Sequence, residues 1–422
     1  MRVGIIGAGF TGLSATYYLL EKGYEVTIFE KESHAGGLAI GFKDKNWKWT
    51  LEKHYHHLFV SDNAIKDLAK KVGHKITFRR PITSTYINGA IMQLDSPLSL
   101  LRFKPLPVID RIRTGLVLAY LRFTPLWKLL EKISAQNFLK RFMGKSSWKI
   151  LWEPLFVGKF GKYASFIPAV WFWARIKKRS ALLGYPEGGF QNLSDKIAKK
   201  IIKMGGKFIY NSEVKKIEKL NEDLVVTVQT GEKFVFDKVI CTLSSGFFTS
   251  VTKGLPSSYV KKFTSLKGLG AINLIMSIKN KFLKDGSYWL NINEKDYPFL
   301  SIVEHTNFID QKFYNGERLV YVGKYLDSQH KYFQMSEKEL LNEYFLGLRR
   351  INRSFNKSWI KKMWLSKANF AQPIIPLNYS KKIPPFETPI SGLYLANIQQ
   401  VYPWDRGTNY AVELGQKISR MI

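Results

Sequence analysis

The sequence predicts an α/β protein in which the first forty residues form a Rossmann-like dinucleotide-binding unit. Residues 2–6 are an apolar run typical of a buried strand, and residues 24–29 form a second such run. Between them, a glycine-rich loop opens a helix that extends to about Lys22. A glycine motif alone would be weak support. Here the strand, loop, helix, second strand and terminal acid follow one another in the order of the dinucleotide fingerprint.

The residues of the loop have separate predicted roles. Gly7 permits the tight turn, Gly9 leaves the backbone open to a pyrophosphate, and Gly12 lets the helix pack closely on the strand. The helix N-terminus offers oriented N–H groups to the anion. Glu30, at the end of the second strand, is placed to accept hydrogen bonds from ribose hydroxyls. We therefore predict dinucleotide contacts at Gly7, Ala8, Gly9, Phe10, Thr11, Gly12, Glu30 and the adjoining Lys31.

A glycine pair, Gly36-Gly37, follows in the stretch KESHAGGLA. This N-terminal region resembles that of the superfamily of flavin amine oxidases, protoporphyrinogen oxidases and phytoene desaturases, in which the pair brings the backbone close to FAD. Most members have arginine after the pair. Leu38 stands there instead, as in the branch that contains the UDP-galactopyranose mutases. The resemblance implies that FAD is the cofactor and that Gly36, Gly37 and Leu38 contact it.

The C-terminal segment, GLYLANIQQVYPWDRGTNYAVELGQKI, also resembles this superfamily. There a strand, a turn beside the flavin and a helix follow one another, and the helix N-terminus points at the flavin pyrimidine. The resemblance places Asn397, Gly407, Thr408 and Asn409 near the flavin and Val214 near the adenine. The only cysteine, Cys241, lies far from the C-terminal position where some monoamine oxidases attach flavin, so we expect FAD to be non-covalent.

The same resemblance implies two domains that alternate along the chain. The FAD-binding domain would comprise residues 1–80, 184–250 and 366–422, and an inserted α+β substrate domain would comprise residues 81–183 and 251–365. The pair Asn88-Gly89, between two alternating apolar runs, predicts the hairpin with which the substrate domain begins.

The stretch LEKHYHHLFV contains three histidines within four residues. It resembles the segment that superfamily members lay beside the flavin, so we predict that His56 or His57 faces the isoalloxazine as a catalytic residue. The alternative, that both are ordinary polar residues on a strand or turn, stays open. A metal site is not expected, because the chain has no further ligand pattern at suitable spacing.

Two departures from the amine oxidases argue against simple amine oxidation. Asn273 aligns with their lysine near the reactive flavin nitrogen, and Gly407 aligns with an aromatic residue that flanks their substrate. We therefore expect an FAD-dependent oxidoreductase that takes hydride from an unidentified small-molecule substrate, either apolar or anionic. One alternative is a non-redox flavoenzyme resembling UDP-galactopyranose mutase that acts on a nucleotide sugar. Another is a module that retains FAD without turnover.

Positive charge is concentrated in one part of the chain. The net charge is +32, and residues 97–182 carry 17 lysines and arginines against 3 acidic residues. Such a field favours an anionic partner. One hypothesis is an anionic membrane surface contacted by residues 97–182, where five tryptophans suit an interface. The other is a helical subdomain with a solvated basic face.

Two further expectations concern partners and location. Nucleic acid is not expected, because no nucleic-acid-binding motif is present. No apolar run reaches the roughly 18–20 residues that span a bilayer. The nearest stretch, residues 115–130, is interrupted by Arg122 and Lys128. We expect a cytoplasmic protein, free or on the membrane surface. The sequence does not indicate its oligomeric state.

Overall fold

A computed structural model describes residues 1–422, the side chain of Thr264 excepted, and confirms the predicted α/β class. Its first sheet has five parallel strands, and the apolar residues of its three inner strands are buried because helices cover the sheet. The strands, in spatial order, are Lys207–Ile209, Glu25–Phe29, Arg2–Ile6, Lys238–Cys241 and Leu393–Leu395. Cys241 is buried in its strand, as expected.

Two helices from the opposite ends of the chain pack against each other beside this sheet. They are Phe10–Glu21 and Thr408–Met421. The Ser14 hydroxyl donates to the backbone carbonyl of Val412 at 2.9 Å. A Cβ at Gly415 would lie only 2.5 Å from the Thr11 carbonyl oxygen. The two backbones therefore touch, and a third helix, Phe190–Lys203, packs on the first.

A second, larger sheet has seven strands, and most of its pairs are antiparallel. Its strand Gly268–Ile278, second from one edge, is apolar and buried over almost its whole length. The helix Glu337–Ile351 packs on this sheet and starts with a capping box between Ser336 and Glu339. The strands, in spatial order, are Ile360–Pro373, Gly268–Ile278, Arg318–Leu326, Ser301–Glu304, Ser287–Ile292, Ile82–Ile87 and Ala90–Gln93.

Three smaller sheets complete the strand structure. The first is formed by Val214–Leu220, Asp223–Val228 and Lys233–Phe236; the second by Leu58–Phe59, Leu183–Pro186 and Ile76–Arg79; the third by Gly41–Phe42 and Leu51–Glu52.

The basic region is helical, as the resemblance implies. Its α-helices are Pro97–Leu101, Val108–Phe123, Trp127–Leu130, Ala135–Met143, Lys145–Ser147, Glu153–Phe160 and Ala169–Lys178. The remaining α-helices are Asn63–Lys71, Ser245–Val251 and Ser257–Thr264. Among the described residues, no helix is both long enough and apolar enough to cross a membrane.

The two main sheets draw their strands from different parts of the chain. All strands of the parallel sheet come from segments predicted to bind FAD, whereas the seven-stranded sheet draws on segments predicted to bind substrate. The strand Ile360–Pro373 runs across the predicted boundary between residues 365 and 366. The domain limits given above stay predictions.

The expectation that the tryptophans of residues 97–182 face outwards is wrong for three of them. Trp148, Trp171 and Trp173 are buried. Each indole N–H donates to a protein acceptor, respectively Glu153, Asp405 and the carbonyl of Thr124. These indoles have both apolar contacts and a hydrogen-bond partner inside the protein, so they need no interface.

The contact between the two end helices yields a stability prediction. Gly415→Ala should destabilise the protein by about 1–3 kcal/mol, the usual cost of overpacking, although alanine favours a helix more than glycine does. Gly115→Ala is the matched control: it lies within the helix Val108–Phe123, and its Cβ would approach nothing closer than 3.9 Å. Urea denaturation should show the control at or above wild-type stability. Equal stability of both variants would contradict the close contact.

Candidate active site

The glycine loop has the geometry that the fingerprint predicts. Gly7 adopts a φ of +99°, a region that favours glycine. A Cβ at Gly12 would lie 2.0 Å from the Gly7 carbonyl oxygen. The turn and the close approach of helix to strand therefore both require glycine.

A second glycine segment lies directly against this loop. A Cβ at Gly37 would lie 2.9 Å from the Gly9 Cα, and the Gly36 N–H donates to the Ala8 carbonyl at 3.0 Å. The Gln191 side chain braces the segment by accepting from the Gly41 N–H and donating to the Ala35 carbonyl. The predicted contacts from both glycine motifs are thus brought together around exposed backbone, whereas the Leu38 side chain is exposed.

Glu30 closes one end of this loop. Its carboxylate accepts from the Ala8 N–H at 2.8 Å and from the Glu32 N–H at 3.0 Å. It is buried, whereas the Lys31 side chain is exposed and approaches Glu32. The Glu30 carbonyl accepts from the Ser212 N–H, which brings the chain leading to the buried Val214 to the same end. Each carboxylate oxygen of Glu30 retains acceptor capacity for a ribose hydroxyl.

FAD fits these residues. The helices Phe10–Glu21 and Thr408–Met421 both start after a glycine, and neither has an acidic residue in its first turn. Among the described residues, no side chain caps the N-terminus of either helix. Such helix starts favour anionic or electron-rich groups. With Glu30 and the abutting glycines, they form a cradle that side chains would fill.

The C-terminal residues predicted to contact the flavin are held by protein groups. The Asn397 side chain donates to the Leu243 carbonyl and accepts from the Gln399 N–H. Asn409 accepts from the Ile65 N–H and donates to Glu413. The side chains of Asn397 and Asn409 therefore serve the fold, and the backbone at Gly407 and Thr408 is better placed for a ligand. These contacts stay predictions.

The histidine segment starts at a buried carboxylate. Glu52 ends a short strand, and its carboxylate accepts from the Tyr185 hydroxyl at 2.7 Å and from the Phe190 N–H at 2.8 Å. Burial raises the pKa of Glu52 to about 7, although these hydrogen bonds oppose the rise. Its backbone carbonyl accepts from the Tyr321 hydroxyl. The segment is thereby fixed to the seven-stranded sheet.

All three histidines of the segment are neutral at pH 7. Burial lowers the pKa of His54 to about 3, of His56 to about 4 and of His57 to about 3. The His56 ring packs on Phe190, and its Nδ1 lies 2.6 Å from the His54 carbonyl oxygen. His57 Nδ1 lies 3.4 Å from the Tyr288 hydroxyl. The proposed catalytic role of His56 or His57 stays a prediction.

His54 pairs with the residue that replaces the amine oxidase lysine. Its Nδ1 lies 2.6 Å from the amide nitrogen of Asn273, which belongs to the strand Gly268–Ile278 of the large sheet. Among the described residues, no three histidine, cysteine, aspartate or glutamate side chains are grouped to hold a metal ion.

A cationic cluster adjoins the histidine segment, and we define it as Lys159, Arg175 and Arg406. Arg175 pairs with the Asp405 carboxylate at 2.7 Å. Arg406 donates to Gln372 at 2.9 Å and to the Tyr325 hydroxyl. Lys159 Nζ lies 4.9 Å from the centroid of the Tyr325 ring.

Within this cluster, the neighbouring arginines disfavour the charged form of Lys159. Burial, together with repulsion from Arg175, lowers the pKa of Lys159 well below its ordinary value. Burial alone would raise the pKa of Asp405, but attraction by Lys159 and Arg175 holds it low. A single carboxylate thus faces three cations.

Sequence reasoning missed both the His54–Asn273 pair and the cationic cluster. The residues of the cluster come from three separate parts of the chain, and Arg175 and Asp405 are 230 residues apart. The one local feature that indicates charge near the predicted flavin site is the pair Asp405-Arg406, which immediately precedes Gly407.

Comparison with known proteins agrees with this geometry. A family model described as flavin containing amine oxidoreductase matches residues 10–399. Zeta-carotene desaturase of Capsicum annuum is 29% identical over 241 residues, which are 49% of this chain and 40% of that protein. The superfamily resemblance is thereby confirmed.

Solved structures share the whole fold. An oxidoreductase from Methanosarcina mazei is 20% identical, with a TM-score of 0.78 and coverage of 100% of both chains. Reduced UDP-galactopyranose mutase is 17% identical, with a TM-score of 0.77 and coverage of 100% of this chain and 96% of the other. At these identities the likeness shows the fold alone.

Gly9 allows the cofactor cradle to be tested apart from folding. Its φ is −72°, and a Cβ there would lie 3.6 Å from its nearest neighbour, the Gly37 Cα. Gly9→Val should therefore fold but lose FAD, because the side chain would occupy the predicted place of the pyrophosphate. The flavin absorbance per purified protein and the far-ultraviolet circular dichroism measure the two effects. A folded variant with a full complement of FAD would contradict the predicted role of Gly9.

The neutral, half-buried histidines of the segment make stability depend on pH. The ordinary histidine pKa is about 6.5, so the unfolded chain binds protons first as the pH falls. The stability that these rings contribute is complete above about pH 6.5 and is lost towards pH 3–4. From pH 7.5 to 5.5, His57→Gln should lose less stability than the wild type, by on the order of 1 kcal/mol. The urea midpoints of the two proteins at the two pH values measure this difference. Glu52 contributes to stability with the opposite pH dependence, but its contribution is the same in both proteins and drops out of the comparison. Equal losses would contradict a low pKa for His57.

Proposed function

Because the chain belongs to the flavin-containing amine oxidoreductase family, whose cofactor is FAD, we propose that it oxidises an organic anion by hydride transfer to non-covalent FAD. The observation that carries the proposal is the surplus of positive charge in the cationic cluster, directly before the helix start predicted to face the flavin.

The charge surplus favours a substrate with a carboxylate or phosphate group. Withdrawing a charge from water is costly unless it is paired, and here the half-buried Lys159 and Arg406 share the single carboxylate that the exposed Arg175 already engages. An anionic group would supply the missing partner. Arginine guanidinium groups bind such groups with two parallel hydrogen bonds, which would fix the orientation of the substrate.

The histidine segment is compatible with hydride transfer because its three imidazoles carry no charge at neutral pH. Bound FAD supplies the hydride acceptor. His54, His56 and His57 remain neutral because burial lowers the pKa of each. Because these three side chains are neutral, the positive charge near the segment comes from the cationic cluster. Asn273 holds His54 in place through the 2.6 Å contact and brings no charge of its own.

The similar carotene desaturase is named for a hydrocarbon substrate. Oxidation of a carbon–hydrogen bond suits both that reaction and the one proposed here. A hydrocarbon, however, would leave the surplus positive charge of the cationic cluster without a counter-charge. The charge therefore favours a substrate that combines an oxidisable carbon with an anionic end.

A second candidate is the non-redox use of the flavin on a nucleotide sugar. The same cluster would then bind a diphosphate, and the likeness to reduced UDP-galactopyranose mutase shows that the fold is compatible. The two candidates differ in electron balance: oxidation consumes one acceptor equivalent per product, whereas isomerisation consumes none and requires reduced flavin at the start.

One experiment separates these functions. Oxidised holoenzyme is mixed anaerobically with a panel of phosphorylated and carboxylated metabolites that includes nucleotide sugars, and flavin absorbance is recorded. Bleaching by an anionic compound, with recovery on admission of oxygen or a quinone, is the expected result. Product formation only with pre-reduced flavin and without net bleaching would establish the second candidate. Bleaching only by uncharged compounds would contradict the role of the cluster.

The cationic cluster predicts anion binding that a single substitution weakens. Inorganic pyrophosphate should bind the holoenzyme, and Arg175→Gln should weaken binding by at least about tenfold, since hydrogen bonds to charged groups contribute about 1.5–3 kcal/mol. Lys199→Gln, on an exposed part of another helix, is the control. Isothermal titration calorimetry on proteins with equal flavin content provides the measurement. Unchanged affinity in Arg175→Gln would remove the cluster from substrate binding.

A further inference from the structure

The helix Val108–Phe123 exposes its apolar side. Ile112, Leu116 and Phe123 are 47%, 66% and 78% exposed, respectively. Large exposed apolar residues continue on both sides of the helix, at Leu98 and Leu101 before it and at Leu126 and Leu129 after it. We define the apolar face as Leu98, Leu101, Val108, Ile109, Ile112, Leu116, Tyr120, Phe123, Leu126 and Leu129. A contiguous surface of this kind marks an interaction site.

The helix carries apolar residues on two opposite sides. At 3.6 residues per turn, its exposed apolar positions fall within an arc of about 120°. The opposite side contacts the protein through the buried Leu121, Asp110 and Thr114, and the Thr114 hydroxyl bonds with that of Ser147. The helix is therefore already packed on the protein by its inward side, and the outward apolar side is the one that lacks a partner.

Basic residues border the apolar face. Arg113 lies along one edge of the helix and donates to the carbonyls of Arg141 and Phe142. Arg122 lies along the other edge and donates to carbonyls at the end of the helix Ala169–Lys178. Exposed cations that stand beside the apolar residues in the sequence are Arg102, Lys104, Lys128 and Lys132.

We propose that the apolar face inserts into the interfacial layer of an anionic lipid bilayer. The apolar side chains would enter the acyl boundary, and the bordering cations would contact lipid phosphates. Charge argues against a second copy of the chain as the partner of the apolar face. Two such basic faces would repel each other, whereas an anionic membrane surface attracts a basic face. Membrane insertion does not require the buried tryptophans, because the aliphatic residues of the apolar face and Phe123 supply the contact with the acyl chains.

Flotation with lipid vesicles tests the proposal on the holoprotein. The wild type should bind vesicles that contain phosphatidylglycerol more tightly than pure phosphatidylcholine vesicles. Binding should weaken as salt rises, because screening acts over about 8–10 Å at physiological ionic strength. The triple variant Ile112→Ser, Leu116→Ser and Phe123→Ser should bind at least about tenfold more weakly, since it removes apolar area from the inserted face. Leu346→Ser is the matched control, because Leu346 is 70% exposed on another helix and should not contribute.

Charge reversal supplies a second, independent variant. Arg102→Glu, Lys104→Glu and Lys128→Glu together should weaken binding to anionic vesicles by at least about tenfold, at about 1 kcal/mol for each cation near the surface. The same charge change at Lys199, Lys200 and Lys203, exposed on the helix Phe190–Lys203, should have a much smaller effect. Retained flavin absorbance shows that each variant is folded.

Three results would overturn the proposal. The first is wild-type protein that remains unbound by anionic vesicles at low salt. The second is equal binding by the triple serine variant and Leu346→Ser. The third is a lipid-free dimer in analytical ultracentrifugation that the serine variant abolishes, since the apolar face would then join two copies of the chain.

Discussion

Direct contact between backbones is the constraint on which the cofactor end of this structure depends. Helix and strand meet at Gly12, the two glycine segments meet at Gly9 and Gly37, and the two end helices meet at Gly415. At each of these places, even a methyl group would press against neighbouring atoms or extend into the cradle. The fold there depends on glycine, because the absence of a side chain allows the backbone segments to approach one another this closely.

The local parts of this arrangement could be predicted from the sequence. The turn at Gly7 and the order of strand and helix in the C-terminal segment follow from residues that are neighbours in the chain, and the structure has both. The cationic cluster could not be predicted, because the Arg175–Asp405 pair depends on how distant segments meet. A list of charged residues does not reveal which of them share one partner.

The helix Val108–Phe123 marks another limit of sequence reasoning. Periodicity shows that apolar residues share one side of a helix, but the usual inference that this side is buried is an assumption about its surroundings. Here the side that meets the protein combines Leu121 with the polar Asp110 and Thr114, and the side with the larger number of apolar residues remains open. The tryptophans show the converse error, since hydrogen bonds from their indole groups allow Trp148 and Trp173 to be buried.

The pairing of the end helices also determines when the cofactor site can exist during synthesis. Ser14 and its partner Val412 are 398 residues apart, so a ribosome needs roughly 20–80 s to make the second after the first. During that interval, the glycine loop and the strands around it lack both the covering helix and the edge strand Leu393–Leu395. FAD capture is therefore expected to follow synthesis of the C-terminal segment, and the nascent sheet must be kept from pairing with other chains until then.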